Sequence, residues 1–309
     1  MMGRRNRWAF SIPSRTQFLS TFTCMCLAVV PSLSLGAELK NETLRTWDDY
    51  IEASIVRMQE HTRPNGQFLW IDEVPQRDRQ LWTGEILIAP FGEQVPKHVA
   101  SGLIHDWIGA AFIPGAKIDD VLGVVRDYDD YKMFYKENIV DSKTLSVDRI
   151  ADRFSMLLAD REMAATTALS GEYEACYLQL TDKQWYSITY ATRVQEIRNY
   201  GHPDEQLLPP DQGAGFIWRI YNLGRLEERD GGVYLEQETI VLSRDIPAAL
   251  RWLVEPMIRR TSKGALLNSL QQTRAAVLSR IGVGSALTYE ATGSSCASAS
   301  PPGARQVVR

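Results

Sequence analysis

Metal-binding and catalytic patterns are what this sequence has least of. Its four histidines, His61, His98, His105 and His202, are scattered. None pairs with another one helical turn away or sits beside paired cysteines, so no metal site is expected. There is no Gly-x-Ser-x-Gly elbow and no phosphate loop, and Gly282-Val283-Gly284 lacks the further glycine and preceding strand of a dinucleotide site. No catalytic residue and no cofactor is therefore assigned. Cysteine is scarce: four in 309 residues excludes a disulfide-stapled scaffold. Repeats at solenoid or propeller spacing are lacking. So is a basic excess, with 34 Lys and Arg against 38 Asp and Glu, which argues against nucleic acid as a partner.

Acidic residues are missing altogether before Glu38, where Arg4, Arg5, Arg7 and Arg15 precede an apolar stretch from Phe18 to Leu35. That stretch ends in the small-residue run Ser34-Leu35-Gly36-Ala37. Positive start, apolar core and small-residue end read as an export signal over residues 1–37. The core is shorter than a spanning helix needs and holds Pro31. The expectation is a cleaved signal, no stable membrane span afterwards, and a periplasmic or secreted mature chain. Cleavage removes four arginines, leaving 30 basic and 38 acidic residues, a net charge of −8. It also leaves only Cys176 and Cys296; one bridge between them is possible, and two free thiols are the simpler expectation.

What is present is an organised α+β pattern. Residues 38–79 read as an N-terminal helix and a linker, because Leu44, Trp47, Ile51, Ile55 and Met58 share one helical face and Pro64-Asn65-Gly66 ends it. Strands are expected over Leu81–Pro90 and Leu103–Ile113, and short helices over Ile118–Tyr135. Extended runs follow at Ile139–Val147, Arg153–Ala159, Glu172–Leu180 and Gln184–Tyr200, with a hairpin of Phe216–Arg229 and Val233–Arg244 turning on Asp230-Gly231-Gly232. Pro247–Ile281 is helical in pattern, with an apolar stripe from Leu250 to Leu278, Asp245 as N-cap, a kink at Pro256 and a division at Gly264. The main domain spans 80–283. Residues 284–309 are Ser, Ala, Gly, Thr and Pro-rich and read as a disordered tail.

Particular segments carry a resemblance. Trp107-Ile108-Gly109 leads to Phe112-Ile113-Pro114-Gly115, then come Tyr128-Asp129-Asp130-Tyr131, Trp218-Arg219, Arg225 to Tyr234, and Leu242-Ser243-Arg244-Asp245-Ile246-Pro247. Together with the element order they resemble the START-like, or SRPBCC, superfamily of helix-grip proteins, which includes lipid-transfer domains, pollen-allergen-like binders and polyketide cyclases. The resemblance covers residues 103–281 and leaves out the N-terminal helix. It implies a curved antiparallel sheet wrapped around a long C-terminal helix, with a cavity between them. The superfamily holds binders and enzymes alike, so the resemblance selects no activity.

Strand parity then nominates the cavity. The hairpin turn pairs Arg225 with Glu236 and Asn222 with Thr239. One face carries Trp218, Ile220, Asn222, Gly224 and Leu226 against Val233, Leu235, Gln237 and Thr239; being more apolar, it is expected to look inward. Asn222, Gln237 and Thr239 become polar points in an apolar cleft, or else bond to one another and fill it. The opposite face carries Arg225, Glu236 and Glu238, expected as a surface ion-pair cluster, or as a buried polar site if the parity is reversed. His105 and Trp107 share a face of the second strand, Arg193 lies on the long strand, and Tyr128 and Tyr131 lie on the short helices that close the cavity in this fold.

These readings favour binding of a hydrophobic small molecule, a lipid by preference. Two alternatives stay open: a cyclase or hydrolase using His105, Arg193 and Glu236, and an interaction protein with a filled cavity. The ligand's identity and the oligomeric state are not written in the sequence.

Overall fold

The structure is a computed structural model that describes residues 37–63, 66–92, 94–159 and 168–281. The expected export signal, except for Ala37, and the expected disordered tail lie outside the described residues. From the N-terminus the elements are β1 (Ala37–Glu38), α1 (Asn41–His61), a 3₁₀ turn (Trp70–Glu73), α2 (Pro75–Trp82), β2 (Leu87–Pro90), β3 (Lys97–Val99) and β4 (Gly102–Pro114). Then come α3 (Ile118–Val125), a 3₁₀ turn (Tyr128–Asp130), α4 (Tyr131–Phe134), β5 (Ile139–Val147), β6 (Asp152–Ala159), β7 (Ala168–Thr181) and β8 (Gln184–Arg198). The chain closes with β9 (Gln206–Leu207), β10 (Gln212–Gly213), β11 (Arg219–Arg229), β12 (Gly232–Arg244), a 3₁₀ turn (Ala248–Leu250) and α5 (Arg251–Ile281).

Ten of these strands form one antiparallel sheet in the order β2-β4-β12-β11-β8-β7-β6-β5, with β3 beside β4 and β9 beside β8. The hairpin has the register expected, with Arg225 opposite Glu236 and Asn222 opposite Thr239. Asp230 and Gly231 both hold positive φ at its turn, the conformation a tight turn demands. β5 pairs with β6 through two register shifts, between Ile139 and Asp141 and between Thr144 and Ser146.

α5 packs on the inner face of the sheet, giving the α+β helix-grip arrangement. The packing is tight at Gly109: a Cβ there would stand 2.4 Å from Ile88 Cδ1 on β2 and 2.8 Å from Leu270 Cδ1 on α5. Gly109→Ala is therefore expected to force strand and helix apart and lower stability by about 1–3 kcal/mol, measurable by denaturant unfolding. An unchanged unfolding midpoint would show that the contact gives way freely.

The structure corrects the sequence reading on four elements. Residues 67–79 are no linker, because Phe68, Leu69, Trp70 and Ile71 are buried against Ile108, Phe112 and Tyr234. The strand expected to begin at Leu81 starts at Leu87, since Leu81 and Trp82 finish α2. α5 runs unbroken through Pro256 and Gly264, and of its apolar stripe only the part from Leu266 onward is buried. Cys176, buried on the outer side, is disulfide-bonded rather than a free thiol, with a partner outside the described residues.

The larger departure is a second core. α1 lays Trp47, Ile51 and Met58 on Ile104, Ile188, Tyr221, Leu223, Ile240 and Leu242 of the outer face. The sheet is thus buried on both sides, and β4 has twelve consecutive buried residues where a half-solvated strand would alternate.

Candidate functional site

Between the inner face and α5 lies a cavity of about 280 Å³. β11 and β12 supply Ile220, Asn222, Leu226, Leu235 and Gln237. β8 supplies Trp185, Ser187 and Thr189, which the sheet register sets opposite Leu226, Gly224 and Asn222. Phe154, Tyr173 and Tyr177 form the far wall, Ser269 and Gln272 come from α5, and Tyr131 and Tyr135 close one end.

Four polar side chains form one connected row along a lining that is largely aromatic and aliphatic. Thr239 Oγ1 donates to Asn222 Oδ1 at 2.8 Å and accepts from Gln237 Nε2 at 3.1 Å. Ser269 Oγ donates to Gln237 Oε1 at 3.4 Å. Both expected behaviours therefore occur together: the three side chains bond across the strands, and Asn222 and Gln237 still face open space. The amide nitrogen of Asn222 has no protein acceptor among the described residues, so it is placed to donate to a ligand.

The aromatic end is fixed by its hydroxyls. Tyr128 and Phe154 stack at 4.1 Å, and Tyr131 meets Phe154 edge-on at 5.8 Å. Tyr128 donates to Asp152 at 2.8 Å, where Arg126 also bonds at 2.9 Å. Tyr131 donates to the carbonyl of Val125, and Tyr135 pairs with Thr273 on α5 at 2.9 Å. Burial pushes the Tyr131 phenol well up and that of Tyr135 to about 12, so both stay protonated.

The other nominated residues stand elsewhere. Trp107 is buried in the inner core near Leu270 without lining the cavity, and Tyr128 sits behind Tyr131. His105 is buried, 2.9 Å from Ser243 Oγ, and burial pushes it down to about 4, so it is neutral at pH 7. Arg193 is on the surface, 3.7 Å from Glu172. Trp218 precedes β11 and packs in the outer core with Trp47. Its backbone has left the strand geometry from which the inward parity was inferred.

Arg225, Glu236 and Glu238 need the fullest correction. Parity placed them on the outer face correctly, but that face is not in solvent. Arg225 and Glu236 form an ion pair, each under 5 % exposed, beneath the segment that carries Trp70 and Ile71. Burial pushes Glu236 up to about 7, against the pull of Arg225 and of the Trp70 and Ile71 N–H groups. Next to it Glu238 accepts from Arg57 of α1 at 2.8 Å, and Asp106 accepts from Tyr50 of α1 at 2.7 Å. Burial, then the neighbouring Glu238, pushes Asp106 up to about 8. This is a clamp between α1 and the sheet, separated from the cavity by the sheet itself.

His105, Arg193 and Glu236 accordingly lie in three different environments and form no common site. The cavity lining, among the described residues, contains no His, Asp, Lys, Cys or Arg side chain, and its one carboxylate residue, Glu236, points to the outer side. The lining residues not nominated from sequence, Trp185, Ser187, Thr189, Tyr173 and Tyr177, do carry a signal. They alternate at period two on β7 and β8, and extending the hairpin register one strand further would have found those on β8.

No family model matches the chain, and no curated protein matches it. Solved structures resemble part of the chain. A STAR-related lipid transfer protein from Xanthomonas axonopodis is 16% identical, covering 60% of this chain and 98% of its own, with a TM-score of 0.41. A START superfamily protein from Mycobacterium smegmatis is 10% identical over 57% of this chain and 98% of its own, at 0.37. An aromatase/cyclase from Streptomyces is 10% identical over 58% and 96%, also at 0.37. At this distance the likeness extends to no activity.

Proposed function

We propose that this protein binds a hydrophobic small molecule in the cavity between sheet and α5 without performing bond chemistry on it. The observation that carries the reading is the lining itself: a largely aromatic and aliphatic wall carrying a bonded polar row, Asn222, Gln237 and Ser269 braced by Thr239, with Ser187, Thr189 and Gln272 as further polar points. Apolar burial supplies affinity and the polar row sets orientation. A general acid and base would have to come from phenols that burial keeps protonated, which favours binding over catalysis.

The volume narrows the ligand class. About 280 Å³ equals the space of roughly nine waters at about 30 Å³ each. That suits a single acyl chain or a fused-ring compound and is small for a two-chain phospholipid. The export reading of the N-terminus makes envelope or extracellular molecules the accessible pool.

The test is mass spectrometry of organic extracts from purified protein, followed by thermal shift against the extracted compound and a panel of fatty acids and polycyclic compounds. Asn222→Leu with Gln237→Leu keeps the size and removes the polar row, and is expected to weaken binding at least about tenfold while the empty protein stays folded. Ser187→Phe, which fills the cavity from β8, is expected to abolish it. Extracts without any bound compound, together with no thermal shift across the panel, would leave the cavity a packing defect and end the proposal.

A further inference from the structure

The N-terminal half of α5 carries a surface that neither the cavity nor the fold accounts for. Trp252 is 77% exposed, Leu253 56% and Met257 58%, an unusual set of large apolar side chains on two consecutive turns. At 100° per residue they share one outward face with Pro256, Arg259, Arg260 and Lys263, all of them exposed. Glu255 is the only acidic residue in the 31 residues of α5, against six basic ones. It points off this face and toward His98, 3.1 Å away. The outward face therefore holds three apolar side chains and three cations and no carboxylate, in a chain whose overall charge is negative.

We infer that this face docks the protein onto a membrane surface containing anionic lipid. The charge favours that occupant, since a face of Arg and Lys repels the same face of a second copy in a two-fold dimer and is attracted by a negative bilayer. The exposure does too. The apolar residues stand 56–77% exposed on the helix, so they are free to insert into a soft surface. Tryptophan beside arginine at such a boundary matches the interfacial layer, where the indole is half solvated and the guanidinium meets phosphate. This docking does not depend on a ligand in the cavity. Met257 and the cavity-lining Ser269 lie about 18 Å apart along the helix axis, so a docked protein holds its cavity close to the bilayer.

The experiment uses residues 37–309, which contain every element described, so that the apolar stretch before Ala37 adds no affinity of its own. Cosedimentation with large vesicles of phosphatidylcholine carrying 30% phosphatidylglycerol should show binding that phosphatidylcholine alone does not, weakening as salt rises. Replacing Trp252, Leu253 and Met257 by serine should cost at least about tenfold in partitioning. Exchanging Arg259, Arg260 and Lys263 for glutamate should cost about a hundredfold or more. Both variants alter exposed side chains only, and matching melting temperatures would confirm that they fold. As a separate reading on the intact surface, brominated phosphatidylglycerol should quench part of the tryptophan fluorescence, and Trp252→Phe should remove that part. No binding to anionic vesicles overturns the inference, as does binding that both variants retain. So does a dimer that the serine variant dissociates without any vesicle binding, because the occupant would then be a second copy. Any of these failures leaves the cavity reading untouched, since ligand extraction does not use this face.

Discussion

Arg225→Met is expected to be the most damaging single substitution outside the apolar cores, lowering stability by about 3–5 kcal/mol at pH 8. The guanidinium faces Glu236 beneath Trp70 and Ile71, with both side chains almost fully enclosed. Without it a buried carboxylate keeps only backbone N–H groups for company. For a domain of this size the loss corresponds to a fall in Tm of roughly 6–20 °C. Glu236 already sits near 7, so the damage should shrink at pH 5, where the orphaned group protonates. The double substitution Arg225→Met with Glu236→Gln should recover most of the stability, because it leaves no unpaired charge. Calorimetry on the three proteins at both pH values decides the matter; equal melting of Arg225→Met and the parent would mean that the pair contributes nothing.

The second large effect is a stability that declines as pH rises from about 4 to about 8. Asp106 and Glu236 have ordinary values of 3.8 and 4.5 when unfolded, raised to about 8 and about 7 in the folded protein. Between those limits the folded state holds protons that the unfolded chain has released. Stability from these groups is complete below about 4 and is lost as pH climbs through their folded values. His105, lowered by burial from 6.5 to about 4, acts in the opposite sense between those values and offsets part of the decline, whereas exposed carboxylates with lowered values, such as Asp129 and Asp141, do so only below their ordinary 3.8. Tm should therefore drop by about 5–10 °C between pH 5 and pH 8. Asp106→Asn should flatten much of that slope and be the more stable protein at pH 8, since the amide oxygen still accepts from Tyr50. A parent protein that melts higher at pH 8 than at pH 5 would contradict the protonation of this clamp.

How much of this was legible in the sequence varied from element to element. Asp230-Gly231-Gly232 fixed the hairpin turn, the turn fixed the register, and the register placed Asn222 and Gln237 on the inner face, where the structure has them. The apolar periodicity of α1 was equally plain, but periodicity does not say what a stripe packs against. That missing contact hid the clamp of Arg57 and Tyr50 on Glu238 and Asp106, while the segment read as a linker, with Trp70 and Ile71, covers the Arg225–Glu236 pair expected at the surface. It also hid the second core, because β4 reads as continuously apolar whether its outer cover is a helix or another sheet. Arg193 failed for a different reason: a long strand outruns the cavity it borders, and Arg193 lies where β7 and β8 reach solvent beside Glu172. Trp218 failed because alternation was carried past the true start of β11. In α5 hydrophobicity alone suggested a buried stripe along its whole length. Charge provided the better guide, for Arg259, Arg260 and Lys263 share the face of Trp252 and Met257 and mark it as uncovered.

The two register shifts in β5 have a consequence for how the protein behaves at high concentration. β5 is the outermost strand of its side of the sheet, and a straight free edge offers its N–H and C=O groups to any copy of the same chain. Each shift breaks the regular spacing of those groups and increases the local twist, and Lys143 between them adds a like charge wherever two edges meet. An incoming strand would find no long regular run to zip against on this edge of the sheet.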